Sequence, residues 1–550
     1  MGKLIFSIKT IHPETDISIL IYKEYSSVAH CLRNINKTYK IDKTKVKSLQ
    51  SSPLFCDSFA LNEFMSPLRK IKNLKWSYVL NLSHCSISNH LTSYLANQKH
   101  IGVCMNRDKS INYSNGWAKV YHEILQVPFR TGLSSIEILH QMIGVDLKTH
   151  NNHAQLIFYD ETPIANKMLD IRKNHQSPPS SDFKVAGVLI ENFFIEDKIS
   201  LDTIHDFFNI SMQRNEFLPI LLISSSKHEK DMANRLQNLL SKDIYIFEYN
   251  TKTLPTILLH LDFILTSNPL AIAMGDLTET PTIEICLKEN VLFNQSSTLE
   301  GSIIIEHISH TGAPISSTDL LKACHLIYQK KNIPLNFSRD IMAYKVHHKN
   351  NRCEYIPISE HFEAEKELTR FISKDILYLY NDSSRTSLLF SSLYKNLFHK
   401  EDLKKWIDKE KNTLSRFLKN LLNCLRLINQ ARQREDQGKI FVKELDSLLN
   451  LAYQNSIFSI PIHIFRANIE SIHTSDYDSN INMIEKELFE LKKYLQETFK
   501  IIDLLAEDNS DLLTHRETHP SNSSPKPILE KTNQNFQENH QDEISLEPTL

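Results

Sequence analysis

The residues best placed to do chemistry form a short polar loop, Thr266-Ser267-Asn268, which is followed by Pro269. An apolar run at residues 263–265 precedes the loop and predicts a buried parallel strand, and residues 270–277 predict a short helix. Free backbone N–H groups point outward at a helix N-terminus, so a strand that leads through a polar loop into a helix favours anion binding. The loop hydroxyls and the N–H groups that follow them therefore predict a phosphate-binding site.

Predicted strands and helices alternate around this loop. The apolar runs predict strands at 185–190, 218–223, 244–247, 263–265 and 282–285, and the helical periodicity predicts helices at 201–212, 230–240, 254–261 and 270–277. Alternation of this kind implies right-handed crossovers and a parallel sheet. Three polar loops, which begin after residues 190, 223 and 265, then lie at the same edge of that sheet.

Composition excludes several classes of protein. A chain of 550 residues needs two to four domains, and its net charge of −2 gives no electrostatic sign of nucleic-acid binding. The 8 cysteines lack zinc-site spacing and are typical of a reduced, cytosolic protein. With only 10 glycines, no glycine-rich phosphate loop is present, and either an AT-rich genome or functional decay explains that scarcity. No apolar run is long enough to span a membrane, and the N-terminus does not read as a signal peptide.

The segment 254–285 resembles the donor-side signature of family 9 glycosyltransferases, the lipopolysaccharide heptosyltransferase group. In that family a strand ends in Asn-Asp-Ser/Thr-Gly, a helix carries a His, and a Gly-Thr-Pro turn opens the next strand. Aligned on Thr280-Pro281, this chain matches the family at Asp262 and in length. Four signature positions differ: Asn268 stands for Asp, Leu270 for Gly, Ala273 for His and Glu279 for Gly.

The resemblance implies a donor site in the second half of the chain. Lys198 falls within one residue of the family's phosphate-neutralising Lys, although a solvated surface lysine is the alternative. The segment from Ser225 to Glu229 follows the family's Gly-x-x-x-Glu, with Ser225 in place of Gly and Glu229 on the Glu. Glu229 either binds nucleotide or sugar hydroxyls or only favours the helix dipole. The implied donor site comprises Lys198, Ser225, Glu229, Thr266, Ser267, Asn268 and Thr280. The implied substrate is a nucleotide-sugar donor, ADP-linked, and the resemblance implies no further cofactor and no metal. The chain contains one D-x-D sequence, Asp476-Tyr477-Asp478, which is the metal-binding signature of the other glycosyltransferase architecture; we interpret it as a chance occurrence.

A second match lies at residues 76–103, where the family shows a strand, Asn-Leu, a helix and Ile-Gly in the same order. It implies an acceptor side that contains Asn81, Ser83 and His84. Capping of the following helix is the alternative for Asn81 and Ser83. His84 is a weak candidate for the catalytic base, since no partner is evident, and the catalytic residue is otherwise unassigned.

These features predict an α/β fold of the GT-B architecture, with two Rossmann-like domains, a helical extension and a disordered tail. The predicted parts are an acceptor-side domain at 1–165, a linker at 166–183, a donor-binding domain at 184–345, an all-α extension at 346–507 and the tail at 508–550. The family's first strand and Gly-Asp loop are missing, which favours a truncated gene model. Apolar stripes at 403–428 and 481–505 predict helices that pack on each other, with a coiled-coil dimer as the alternative.

The implied function is inverting, metal-independent transfer of a heptose-like sugar from a nucleotide sugar to lipopolysaccharide or another cell-envelope glycan. The expected partners are the nucleotide sugar and a lipid-anchored glycan at the inner membrane surface, with no nucleic acid. The expected location is the cytoplasm, at most peripheral to that membrane. The alternative is a catalytically inactive relative that acts as a binding or assembly scaffold through its helical extension.

Overall fold

The protein is described here by a computed structural model. It covers residues 1–52, 57–96, 99–125, 131–145, 156–175, 184–191, 199–214, 217–240, 243–286, 292–308, 314–328, 336–349, 352–381, 397–472 and 476–514. Within those ranges, no helix is both long enough and apolar enough to cross a membrane. The predicted tail at 508–550 lies outside them from residue 515 onward, and residues 508–514 are helical.

One eight-stranded sheet dominates the second half of the chain. Its strands are β7 (Lys184–Leu189), β8 (Phe217–Ile223), β9 (Tyr245–Glu248), β10 (Phe263–Thr266), β11 (Thr282–Cys286), β12 (Ile303–His307), β13 (Ile341–Lys349) and β14 (Arg352–Pro357). The order across the sheet is β14-β13-β12-β11-β10-β7-β8-β9. Strands β7 to β12 are parallel, whereas β13 and β14 are antiparallel to their neighbours. The predicted strands and the α/β class are confirmed.

Helices cover both faces of this sheet because its central parallel strands are apolar on both sides. In β8, all seven residues are buried, as expected for a central parallel strand. One face packs against α9 (Leu201–Arg214), α10 (Lys227–Leu239) and α13 (Ser317–Tyr328). The other face packs against α8 (Glu161–His175), α11 (Leu254–Leu259) and α12 (Pro269–Thr278). The result is a doubly wound, Rossmann-like domain.

The first half has shorter elements. Its helices are α1 (Gly2–Ile11), α2 (Ser26–His30), α3 (Lys43–Gln50), α4 (Asp57–Lys72), α5 (Ser86–Leu95), α6 (Gly116–Lys119) and α7 (Ser135–Met142). Its strands form three two-stranded sheets: β1 (Ser18–Tyr22) with β2 (Lys37–Ile41), β3 (Val79–Leu80) with β4 (His100–Ile101), and β5 (Val103–Met105) with β6 (Ile111–Tyr113). The first two pairs are parallel and the third is antiparallel.

Two predicted boundaries need correction. Helix α8 occupies the linker as far as residue 175, because buried Met168 and Ile171 pack it on the sheet domain. Arg172 also donates to Asp262 at 2.8 Å, and Asp262 in turn accepts the backbone N–H of Val185. The boundary at 345/346 falls inside β13, since that strand and β14 extend the sheet by a hairpin.

The C-terminal third is helical, as predicted. It contains α14 (Ala364–Asn381), α15 (Lys400–Gln433), α16 (Glu435–Asn450), α17 (Ser459–Glu470) and α18 (Tyr477–Thr514). The apolar stripes of α15 and α18 are buried in one core within the chain. That core also includes Trp117 and Tyr121, so the extension packs on the first half as well as on itself.

Candidate donor site at the switch point of the sheet

The polar loops meet where the strand order of the large sheet reverses. The chain passes from β7 to β8 on one side, and β10 later pairs with β7 on the other side. In doubly wound sheets, ligands bind in the crevice beyond the carboxyl ends of the strands at such a switch point. Here the crevice lies beyond the ends of β7 and β10, beside Glu191 and the loop Thr266–Asn268.

Glu191 is the central side chain of this crevice. Its Oε2 accepts the hydroxyl of Tyr249 at 2.9 Å and also a hydrogen bond from Nδ2 of Asn268. Ser267 donates to the Glu191 backbone carbonyl at 3.1 Å. Burial and the adjacent Glu191 carboxylate raise the pKa of Tyr249 above its ordinary value, so this phenol keeps its proton and remains a donor. Within the described ranges Oε1 accepts no hydrogen bond, which leaves one oxygen of a firmly oriented carboxylate available.

Asn268 does not leave the helix N-terminus open for phosphate. Its Oδ1 accepts the backbone N–H of Leu270 at 2.8 Å and of Ala271 at 3.3 Å, which is N-cap geometry. Thr266 is fully buried, and its Oγ1 accepts the N–H of Asn268. The N–H groups that the sequence assigned to an anion therefore donate to the side chain of Asn268, which caps α12.

Of the other predicted donor-site residues, Glu229 and Thr280 make structural hydrogen bonds, whereas Ser225 is exposed. Glu229 is buried, and its carboxylate accepts both the N–H of Ser224 at 2.7 Å and the Ser224 hydroxyl at 2.6 Å. Glu229 thus ties the first turn of α10 to Ser224, the residue that follows β8. Ser225 is exposed beside it. Thr280 is buried and donates to the carbonyl of Leu258 at 2.8 Å, so it fixes a turn away from the crevice. Lys198 lies outside the described residues.

The predicted acceptor-side residues lie at the carboxyl end of β3. Asn81 is buried, accepts the N–H of Ser83, and donates to Asn89 and to the Val103 carbonyl. Neither Asn81 nor Ser83 caps α5, because the helix begins after Cys85. Asn81 instead holds a turn that leaves Ser83 exposed to solvent.

His84 lies in an aromatic cluster. It stacks on Tyr121 with a 4.1 Å centroid distance, and its ring centroid lies 6.2 Å from that of His122. Its Nδ1 is buried and has no hydrogen-bond partner among the residues that the structure describes. Burial, followed by repulsion from His122, lowers the pKa of His84 to about 4. This imidazole is therefore neutral and a weak base.

The sequence interpretation missed two neighbours of His84. His122 and Glu123 lie in a π-helical turn, Val120–Ile124, a distortion that is common at functional sites. Oε1 of Glu123 contacts Nδ1 of His122 at 2.7 Å and accepts the Tyr113 hydroxyl at 2.5 Å. The sequence pattern gave no signal for His122 and Glu123, because a π-helical turn is recognised only from its backbone hydrogen bonds.

Helix α1 connects the two halves beside α12. Lys3 is buried and its ammonium lies 2.8 Å from Oδ2 of Asp276, and it also donates to Thr298 at 2.7 Å. Asp276 further accepts from the hydroxyl of Ser297 and the N–H of Thr298. The polar side chains at this junction are satisfied by one another.

Comparison with known proteins gives a distant structural likeness. No family model and no curated protein matches the chain. The E. coli heptosyltransferase WaaC with ADP superposes with a TM-score of 0.40 and 10% identity, over 59% of this chain and 94% of WaaC. The glycosyl transferase family 9 structure from Veillonella parvula gives 0.42 and 10%, over 59% and 92%. The E. coli ADP-heptose lps heptosyltransferase II gives 0.36 and 11%, over 60% and 94%. These three solved structures are two heptosyltransferases and a family 9 glycosyltransferase, the group that the sequence of this chain also resembles.

Proposed function

We propose that the chain is a glycosyltransferase that binds a nucleotide sugar in the switch-point crevice. The observation that carries this proposal is the carboxylate of Glu191, which Tyr249 and Asn268 hold through one oxygen and leave available through the other. A fixed carboxylate at a switch point accepts hydrogen bonds from neighbouring hydroxyls, as in ribose recognition. The crevice therefore suits the ribose or the transferred sugar of the donor.

The proposed reaction is the inverting transfer that the family resemblance implies. An acceptor hydroxyl attacks the anomeric carbon, the bond from that carbon to the diphosphate oxygen breaks, and the hydroxyl proton passes to a base. Inversion at that carbon needs no covalent intermediate, so positioning and stabilisation of the leaving group supply the catalysis. Lys198, which follows β7 in the chain, is the cation proposed to neutralise the diphosphate. Glu191 orients the sugar, and Asn268 holds the Glu191 carboxylate in place.

The finer assignments rest on the sequence resemblance. They are an ADP-linked, heptose-like donor, a lipopolysaccharide or related cell-envelope acceptor, and metal independence. Of the acceptor-side residues, Ser83 is exposed at the end of β3, whereas His84 is stacked and neutral. We therefore propose that Ser83 contacts the acceptor and that His84 shapes the surface rather than removing the proton.

A second candidate is an inactive, glycosyltransferase-like scaffold. Two observations favour it: Asn268 caps the helix N-terminus that was predicted to hold phosphate, and the Lys3–Asp276 ion pair fills the junction beside α12. In that case the helical extension carries the function by binding a partner or a second copy. The two candidates differ in whether the Glu191 crevice takes a nucleotide sugar.

Turnover distinguishes them. The purified chain is incubated with ADP-, UDP- and GDP-sugars and a lipid-linked glycan extract, and nucleoside diphosphate release and product mass are measured. We expect one donor class to be consumed, with a loss on the order of tenfold to a hundredfold in Glu191→Gln, because a neutral amide accepts hydroxyls less strongly. Glu363→Gln, which alters an exposed ion pair with Lys366, should not change the rate. Failure of the folded chain to bind or consume any donor would favour the scaffold.

A further inference from the structure

Positive charge is concentrated in one part of the chain. Residues 33–109 contain 13 Lys and Arg against 4 Asp and Glu, a net charge of +9, whereas the whole chain carries −2, so the remaining residues carry −11. All 13 of these cationic side chains are exposed. Such asymmetry between parts of a chain indicates an anionic partner. The net charge of −2 for the whole chain conceals this asymmetry.

The cations are held on a small folded unit. Helix α4 buries Leu68 and Ile71, which pack in one core with Ile41 of β2 and Leu95 of α5. Opposite this buried stripe, the helix presents Arg69 and Lys70 to solvent. The charge is therefore carried by an ordered surface rather than by a loose tail.

One edge of this unit combines lysines with tyrosines; we call it the basic edge (Lys72, Lys75, Tyr78, Tyr94 and Lys99). The Lys72 ammonium lies 4.1 Å from the ring centroid of Tyr94, and that of Lys99 lies 5.4 Å from Tyr78. Pairing of β3 with β4 brings the two segments together, since Val79 donates its N–H to the carbonyl of Lys99 at 3.2 Å. A helix dipole accounts for lysines in the last turn of α4 but not for Lys75 and Lys99, which lie beyond it.

Apolar side chains are exposed beside these cations. Leu74 is 40% exposed and Tyr78 51%. A surface that mixes exposed Leu and Tyr with Lys suits the boundary of a bilayer, where rings and alkyl stems lie at the headgroup level and ammonium groups contact anionic lipids. Nucleic acid fits less well, because each of the two tyrosines already has a lysine over its ring, where a base would stack.

We propose that the basic edge is the surface by which this chain docks on an anionic lipid bilayer. The proposal is independent of the proposed transfer reaction, since it involves none of the crevice residues. Docking is electrostatic with shallow insertion of the apolar side chains. It therefore depends on the fraction of anionic lipid and weakens as salt is added.

The test is co-sedimentation of the full chain with vesicles of phosphatidylcholine alone or mixed with phosphatidylglycerol. We expect binding only to the anionic vesicles, with most of it lost at about 0.5 M NaCl, where the Debye length falls to roughly 4 Å. The triple variant Lys72→Glu, Lys75→Glu and Lys99→Glu should bind more weakly by on the order of a hundredfold. The matched control makes the same charge change on α15, with Lys404→Glu, Lys405→Glu and Lys419→Glu, and should bind like the native chain. Circular dichroism verifies that both variants are folded.

Three results would overturn the proposal. The first is binding that does not depend on phosphatidylglycerol, and the second is an equal loss in both triple variants. The third comes from the same chain titrated with a single-stranded DNA oligonucleotide. If the native chain bound that oligonucleotide at physiological salt more tightly than the anionic vesicles, the basic edge would be a nucleic-acid surface instead.

Discussion

The ammonium group of Lys374 lies 3.1 Å from Oε2 of Glu137, and both side chains are buried although 237 residues separate them in the chain. Lys374 lies in α14 and Glu137 in α7, so the contact joins the start of the helical extension to the first half of the chain. Burial alone would lower the pKa of Lys374, but the carboxylates of Glu137 and Glu354 raise it above its ordinary value. The pair therefore remains charged and holds three segments of the fold together.

Replacement of Lys374 by an uncharged residue should strongly destabilise the fold. In Lys374→Met, the carboxylates of Glu137 and Glu354 stay buried without their cation, and we expect a loss of about 3–5 kcal/mol in the free energy of unfolding. Urea denaturation measures it. The matched control is Lys366→Met, whose exposed pair with Glu363 should cost about 1 kcal/mol or less. Equal losses in the two variants would contradict a structural role for the buried pair.

Stability should fall with rising pH because of Glu284. Burial raises the pKa of Glu284 to about 7, against partial opposition from its hydrogen bonds with Ser297 and Ser296, so the folded chain retains a proton that the unfolded chain releases near pH 4.5. The contribution is complete below the unfolded pKa and is lost as pH rises through the folded pKa. Relative to Glu284→Gln, the native chain should lose about 3 kcal/mol between about pH 4.5 and 8. A constant difference between the two proteins across that range would refute this.

Glu229 should act on stability rather than as a ligand. Glu229→Ala removes the acceptor for the N–H and hydroxyl of Ser224, with an expected cost of about 1–3 kcal/mol. Asp231→Ala, on the exposed side of the same helix, should change stability by roughly 0.5 kcal/mol or less. Thermal unfolding of both variants provides the comparison. If Glu229→Ala unfolded like the native chain but lost nucleotide binding, Glu229 would instead be a donor ligand.

His84 should tolerate replacement by an apolar ring. His84→Phe keeps the stack on Tyr121 and removes the unpartnered Nδ1, so stability at pH 7 should be unchanged or higher. The folded pKa of about 4 lies below the unfolded value of 6.5, so the histidine's contribution is present above pH 6.5 and is lost as pH falls towards 4. The advantage of the variant should therefore grow at pH 5. A variant that is less stable at both pH values would contradict the inferred neutral, stacked histidine.

The sheet of the second half was predictable because its parallel strands are short apolar runs between amphipathic helices. Predicted and observed strands around 185–190, 218–223 and 282–285 agree within one or two residues. Strand β13 was missed because its sequence, IMAYKVHHK, mixes apolar with cationic residues. Its antiparallel pairing with β12 and β14 decides its structure, and that pairing depends on residues distant in the chain.

The candidate site was only partly predictable. The loop Thr266–Asn268 was identified from its position between a strand and a helix, which is a local pattern. The role of Glu191 was not, because its contacts with Tyr249 and Asn268 arise from residues 58 and 77 positions away. The capping of α12 by Asn268 and the hydrogen bonds of Glu229 with Ser224 were not predicted either. Both depend on side-chain rotamers, which the sequence does not specify.

Thermal unfolding with millimolar ADP-, UDP- and GDP-sugars, on the native chain and on Glu191→Ala, tests the switch-point crevice most directly. A ligand that binds only the folded chain stabilises it by about 2.7 kcal/mol at a hundredfold excess over Kd. We predict that one nucleotide sugar stabilises the native chain and the control Glu363→Ala, and that this stabilisation is lost in Glu191→Ala. No stabilisation by any nucleotide sugar, or an equal effect in Glu191→Ala, would contradict a donor site centred on Glu191.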